Sequence, residues 1–87
     1  MVNIDGKEIK VGQIWYDSIF GTTFTVVFVP DELDIRIYQD KVNVIHRNGC
    51  VGFLKINDIR WKICQLVAEY STWNEAVNSP EFKGEKQ

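Results

Sequence analysis

Eighty-seven residues, 45% hydrophobic and 25% charged, make one small folded domain, since a chain this short hides only about 60% of the surface its unfolded form exposes and cannot divide a core in two. A net charge of −2 argues against tight binding to a phosphate backbone, which requires Lys and Arg to neutralise several phosphates. No apolar run reaches the roughly 18 residues that cross a bilayer, and Met1 to Asp5 has neither the basic nor the apolar region of a secretory signal, so the expected setting is the cytoplasm, without a membrane.

Val2-Asn3-Ile4 and Lys7-Glu8-Ile9 flank Asp5-Gly6, a pair that accepts the positive φ angles of a two-residue hairpin turn. Residues 11–16 read as a strand and 22–29 as a stronger one, with Phe24, Val26 and Phe28 pointing one way and Thr23, Thr25, Val27 and Val29 the other. Pro30-Asp31-Glu32 stops it, because proline cannot donate to a ladder and Asp favours turns. Leu33, Ile35 and Ile37 alternate with Asp34, Arg36 and Tyr38, which predicts a strand over 33–39 with one dry face and one wet face.

Segments 42–47 and 50–56 flank Asn48-Gly49, the strongest hairpin signal in the chain, for which a type I′ turn is expected. Beyond Asn57-Asp58, the alternation of Ile59, Trp61, Ile63 and Val67 predicts a long sixth strand over 59–67. At Ser71 the period lengthens. Thr72-Trp73-Asn74-Glu75 has the spacing of a capping box, and Trp73, Ala76 and Val77 fall at i, i+3 and i+4, so a short helix starts there and ends at Asn78-Ser79-Pro80. Phe82 is a final anchor, and residues 83–87, without an apolar side chain, are expected to form a disordered tail. The domain then spans 1–82.

Short strands joined by tight turns imply a mainly β fold, here a small antiparallel barrel of the Src-homology-3-like (SH3-like) kind with five or six strands and a short C-terminal helix. An oligonucleotide-binding-type barrel is the second architecture. It usually requires a longer chain and an inserted helix.

Chemistry-bearing residues are sparse. Cys50 and Cys64 form no CxxC and are read as reduced, partly buried thiols. His46 is the only imidazole and has no motif that supplies a nucleophile or an orienting carboxylate. Asp17-Ser18 lacks a nucleophile elbow and reads as turn chemistry; Asp31 and Glu32 beside Pro30 read as solvated loop acids. No catalytic residue, metal or cofactor is expected. Three Trp, three Tyr and five Phe are more than so thin a core can swallow, so some must reach the surface, where Tyr and Trp commonly anchor protein–protein contacts. Alternation sends Trp15 and Tyr16 to opposite sides of their strand and puts Tyr38 on the wet face of its own. With Trp73 these are the candidate protein-binding residues. The second candidate set is basic. Residues 41–62 carry Lys41, Arg47, Lys55, Arg60 and Lys62 against Asp58 alone, a local +4 that leaves −6 elsewhere; Arg47, Lys55, Arg60 and Lys62 are the candidates for weak nucleic-acid contact.

Val11-Gly12-Gln13-Ile14-Trp15-Tyr16-Asp17, followed by Phe24-Thr25-Val26-Val27, resembles the opening of many small proteins encoded by bacteriophages and prophages, in which a G-Q-x-W-x-D strand leads into an F-x-V strand of a small barrel. Tyr70 to Phe82 resembles a T-W-x-E-A-V-x-S-x-x-F ending of the same class. The resemblance implies a phage or prophage origin, a host-cytoplasmic setting and a small barrel, and it transfers no site. The function expected is a non-enzymatic protein-interaction module, a phage accessory factor that meets a host or phage protein through exposed aromatics and a sheet edge. The alternative is a weak nucleic-acid-binding barrel using the basic segment, and homo-oligomers are compatible with either.

Overall fold

The computed structural model describes residues 2–30 and 40–84. It begins with a hairpin of β1 (Val2–Ile4) and β2 (Lys7–Ile9), in which Ile4 stands opposite Lys7. Asp5 and Gly6 both have positive φ, 53° and 80°, the pair a type I′ turn needs. Next come β3 (Gln13–Asp17), β4 (Thr22–Phe28), β5 (Lys41–His46) and β6 (Val51–Lys55). A one-turn helix α1 (Arg60–Ile63) leads into β7 (Gln65–Glu69), and two further short helices close the chain, α2 (Trp73–Val77) and α3 (Pro80–Lys83).

The fold is mainly β and antiparallel. β3 to β6 run as a meander, and β7 returns to pair with β3, giving the order β6-β5-β4-β3-β7. Among the described residues this is an open five-stranded sheet with β6 and β7 as its edges, and β1–β2 is a separate two-stranded ribbon. The strand expected over 33–39, with Tyr38, lies outside the described residues.

Strand alternation divides the sheet into two buried faces. Trp15, Phe24, Val26, Val42, Val44 and Leu54 point to one side, where Val2 and Ile9 of the ribbon and Trp61 and Cys64 of the α1 region cover them. Ile14 points to the other, under Ala76 of α2 and Phe82 of α3. Thr23 and Thr25 share this second face and remain fully paired: Thr25 donates to Gln13 O at 2.7 Å, and Thr23 donates to Phe82 O at 2.5 Å, which ties α3 to β4. The Tyr70 hydroxyl donates to the Glu81 carboxylate, a second tie between α3 and the end of β7.

Three expectations are corrected. The strand predicted over 59–67 is instead α1 followed by β7. Asp58 starts the helical turn, since its carboxylate accepts the Arg60 amide at 2.9 Å while its carbonyl accepts the Trp61 amide at 3.2 Å. That turn drives Trp61 into the core, edge-on to Trp15 at 5.9 Å and to Phe24 at 5.8 Å, with its indole N–H on Lys55 O. The 46–51 hairpin forms, but not with a type I′ turn: Asp5 is the only non-glycine with positive φ among the described residues, so Asn48 is not left-handed. Gly49 alone is, at φ 89°, and it donates to His46 O while His46 donates to Cys50 O, both at 2.8 Å. This is a three-residue loop with a glycine bulge, and the Asn48 side chain caps it by accepting the Cys50 amide. Finally, Asn78-Ser79-Pro80 ends one helix and starts another. Ser79 Oγ accepts the Phe82 amide, Pro80 occupies the first turn, and Gly84 terminates α3 at φ 72°. Lys83 and Gly84, expected in the tail, are therefore the end and the cap of α3. Thr72 caps α2 as expected, its Oγ1 accepting the Glu75 amide, while the Glu75 carboxylate accepts the Thr72 hydroxyl, so only the first half of the capping box forms.

Candidate functional site

A concavity of about 330 Å³ opens between the ribbon and the last strand, lined by Lys7, Glu8, Trp15, Cys64, Gln65 and Leu66. Each wall has a local cause. A one-turn helix leaves its last carbonyls without intrahelical partners, and the Lys7 ammonium meets them, donating to Trp61 O at 2.7 Å and Cys64 O at 2.8 Å. The same ammonium lies 5.8 Å from the Trp15 ring. Lys7 thus pins the ribbon to the α1–β7 junction and fixes the width of the concavity.

Gln13 sets the floor. Its Oε1 accepts Trp15 Nε1 at 3.1 Å and the Lys10 amide at 2.8 Å, while its Nε2 donates to Glu8 O at 2.9 Å and to Glu69 Oε2 at 3.0 Å. A buried amide with every hydrogen-bonding function used is a rigid element, and here it locks the Trp15 indole and joins β2, β3 and β7. Burial, reinforced by the nearby Asp17 carboxylate, pushes the Cys64 thiol up to about 11. It is a neutral, weakly nucleophilic group at ordinary pH.

The concavity adjoins an open edge. β7 pairs with β3 on one side, and among the described residues no strand pairs with the other. Its register slips between Ile14 and Trp15, so that Ala68 faces Ile14, Leu66 faces Trp15, and Val67 is the extra residue between them. Leu66 and Val67 are left 46% and 45% exposed.

Of the four residues expected to bind protein, the three that are described, Trp15, Tyr16 and Trp73, are not brought together. Trp15 is 2% exposed, contrary to its expected surface role, because its side of β3 is the one that Trp61 and the ribbon cover; it reaches the concavity only as its floor. Tyr16 faces the opposite side and is exposed, as alternation requires. Trp73 is also exposed, but it follows Thr72, which packs on Gly12 at the far end of β3 from Tyr16. Tyr38 lies outside the described residues.

The basic set divides as well. Lys55 stands opposite Lys41 at the end of the β5–β6 pair remote from its turn. Arg47 sits at the turn, donating to Thr23 Oγ1 at 3.3 Å and lying against Gly84. Arg60 holds Asp58 through two hydrogen bonds, 3.0 and 3.3 Å, which keep the Asp58 carboxyl below its usual range. Lys62 is exposed on α1. His46 is half-buried, its ring 6.2 Å from Phe24. Asp17 is committed to its turn, where the carboxylate accepts the Ile19 and Phe20 amides.

Several features were not singled out by sequence reasoning: the buried Gln13 as the organiser of Trp15, the bare β7 edge, and the exposed apolar side chains of Ile19, Phe20 and Ile59. Gln13 carried a signal, being a polar residue in the middle of an apolar strand. Ile19 and Phe20 carried another, since they follow Asp17-Ser18 within a turn. No group of three or more His, Cys, Asp or Glu that could hold a metal occurs among the described residues, and none of their helices is long and apolar enough to cross a membrane. Comparison with known protein-family models, curated proteins and solved structures finds no match to this chain.

Proposed function

We propose that this chain is a protein-interaction module that receives an extended segment of its partner along the outer edge of β7. The observation that carries the reading is the juxtaposition of a strand edge that no described strand pairs with and an apolar-floored concavity beside it. An added strand gains affinity from main-chain hydrogen bonds, and its alternate side chains gain specificity from pockets next to the edge. Leu66, which faces Trp15 in the register, marks where such a side chain would sit. The SH3-like reading belongs to the same proposal: a meander whose last strand, after a one-turn helix, comes back to pair with its first strand supports it. So does an origin among phage-encoded accessory proteins, on the sequence resemblance alone. The nucleic-acid alternative has less support in the geometry, because Lys55 stands apart from the other three cations and Arg60 is engaged by Asp58.

The test is site-specific photo-crosslinking in an extract of the producing cells, with the probe at position 66 and, for comparison, at Lys10. A discrete protein adduct from position 66, lost when unlabelled protein competes and retained when the competitor carries Leu66→Glu, supports the reading. Adducts from position 10 but none from position 66 would refute it.

A further inference from the structure

The end of the sheet that carries the β3–β4 turn combines three features that the β7 edge does not explain. First, the neighbouring Ile19 and Phe20 are 64% and 67% exposed, although large apolar side chains usually find cover, and contiguous apolar surface on a small protein marks a contact site. Second, the apex is stiff. Asp17 accepts the Ile19 amide at 2.9 Å and the Phe20 amide at 3.3 Å, and Gly21 donates to Asp17 O at 2.8 Å, so the turn holds both side chains outward. Third, cations surround the apex. Arg60 lies 5.9 Å from the Phe20 ring and directly follows Ile59. Lys62 is exposed on the same short helix. Arg47 and Lys83 approach from the other face of the sheet, where Arg47 bonds Thr23 and touches Gly84, the residue after Lys83. The register puts the β5–β6 turn at this same end, since Phe24 faces His46 and Asp17 faces Thr22. Among the described residues, Asp17 and Asp58 on the flanking turns are engaged, Asp17 by its turn amides and Asp58 by Arg60.

A projecting apolar apex set among cations suits a soft, negatively charged surface. A bilayer interface receives a protrusion without needing a preformed pocket, and anionic headgroups attract Lys and Arg held near the surface. Charge complementarity favours this occupant even though the whole chain carries −2, because the attraction is local and decays within about 10 Å. We propose that this end of the molecule docks reversibly on anionic lipid, with Ile19 and Phe20 entering the headgroup layer and Arg47, Lys62 and Lys83 contacting lipid phosphates and carboxylates. It is surface contact without a spanning segment, and it leaves the β7 edge free for a protein partner.

The experiment is flotation of the full chain with vesicles of phosphatidylcholine alone and vesicles containing 30% phosphatidylserine, a composition chosen for its charge, at about 0.05 and 0.5 M salt. Binding to the serine-containing vesicles alone, weakened at least tenfold by high salt, is expected. The double substitution Ile19→Ser with Phe20→Ser should abolish it with an unchanged melting curve, because neither side chain is in the core. Lys62→Glu should weaken it severalfold, whereas Lys55→Glu, at the opposite end of the sheet, should not. Equal flotation with both vesicle types, or binding indifferent to the double substitution and to Lys62→Glu, overturns the proposal. The absence of vesicle binding also overturns it, and retention on immobilised polyglutamate would then assign the basic end to an acidic protein instead.

Discussion

Replacing Gly12 with alanine adds one methyl group where the backbone at Tyr70, just after β7, leaves no room for it. Gly12 has φ 93°, and a Cβ built there would stand 2.1 Å from Tyr70 O and 3.0 Å from Tyr70 C. The obstacle is backbone and cannot rotate away. It is also bonded on both sides, because Gly12 donates to Val26 O and accepts from the Tyr70 amide, each at 3.0 Å. The conformational penalty of left-handed backbone for an L-residue is about 1–2 kcal/mol, and forcing extra volume into a packed site adds about 1–3 kcal/mol. Alanine at 12 should therefore cost roughly 3–4 kcal/mol, a large part of the 5–15 kcal/mol available to a small domain. Gly6→Ala and Gly49→Ala are internal controls: both positions have positive φ, yet nothing lies within 4 Å of the added carbon, so only the conformational cost of about 1–2 kcal/mol applies. Urea denaturation of the three variants separates the terms, provided their m-values match. A Gly12→Ala variant no less stable than Gly49→Ala would show that the Tyr70 carbonyl does not press on this site.

Three further outcomes follow from the same geometry. Phe82→Ala should cost about 3–5 kcal/mol, since Phe82 is buried in the second cluster; Trp73→Ala, at an exposed ring, should cost under about 1.5 kcal/mol, and the reverse order in thermal melts would mean that Trp73 anchors the helical lid. Ellman's reagent should titrate the exposed Cys50 in the native protein and reach Cys64 only on unfolding, because a buried thiol held up at about 11 offers little thiolate; two fast-reacting thiols would contradict the packing of α1. Hydrogen bonds from Arg60 lower the Asp58 carboxyl below 3.8, so this pair stabilises the fold above the unfolded value and is lost as pH falls through the lower folded one. Asp58→Asn should then be less stable than the parent at pH 7 by under about 1 kcal/mol, with the gap closing below pH 3.8; a gap that widens in acid would refute the assignment.

Local chemistry was legible in the sequence wherever a short segment decides its own conformation. Asp5-Gly6, the alternation of Phe24 and Val26 with Thr23 and Thr25, and the Thr72 cap on the Glu75 amide all read directly into structure. Two failures share one cause. Ile59, Trp61 and Ile63 alternate as a strand would, yet Asp58 turns the chain by accepting the Arg60 and Trp61 amides, and the depth of the Trp15–Phe24 cluster rewards bringing Trp61 onto it. Likewise, period 2 correctly sends Trp15 and Tyr16 to opposite sides but does not say which side acquires a cover. That depends on α1 and the ribbon, whose docking on Trp15 is long-range. The candidate site was legible only as a class. A sheet edge and exposed aromatics were anticipated, but β7 is an edge because it pairs with β3 across most of the chain, and no local pattern announces that pairing.

Hydrogen–deuterium exchange of the protein, with and without the partner captured through position 66, tests the interaction reading most directly. Strand addition predicts that the amides of Gln65–Glu69 gain protection on binding, with a smaller effect at Lys7 and Glu8 across the concavity, while Val51–Lys55 on the opposite edge exchange at an unchanged rate. Protection confined to Val51–Lys55, with β7 exchanging as before, would contradict it.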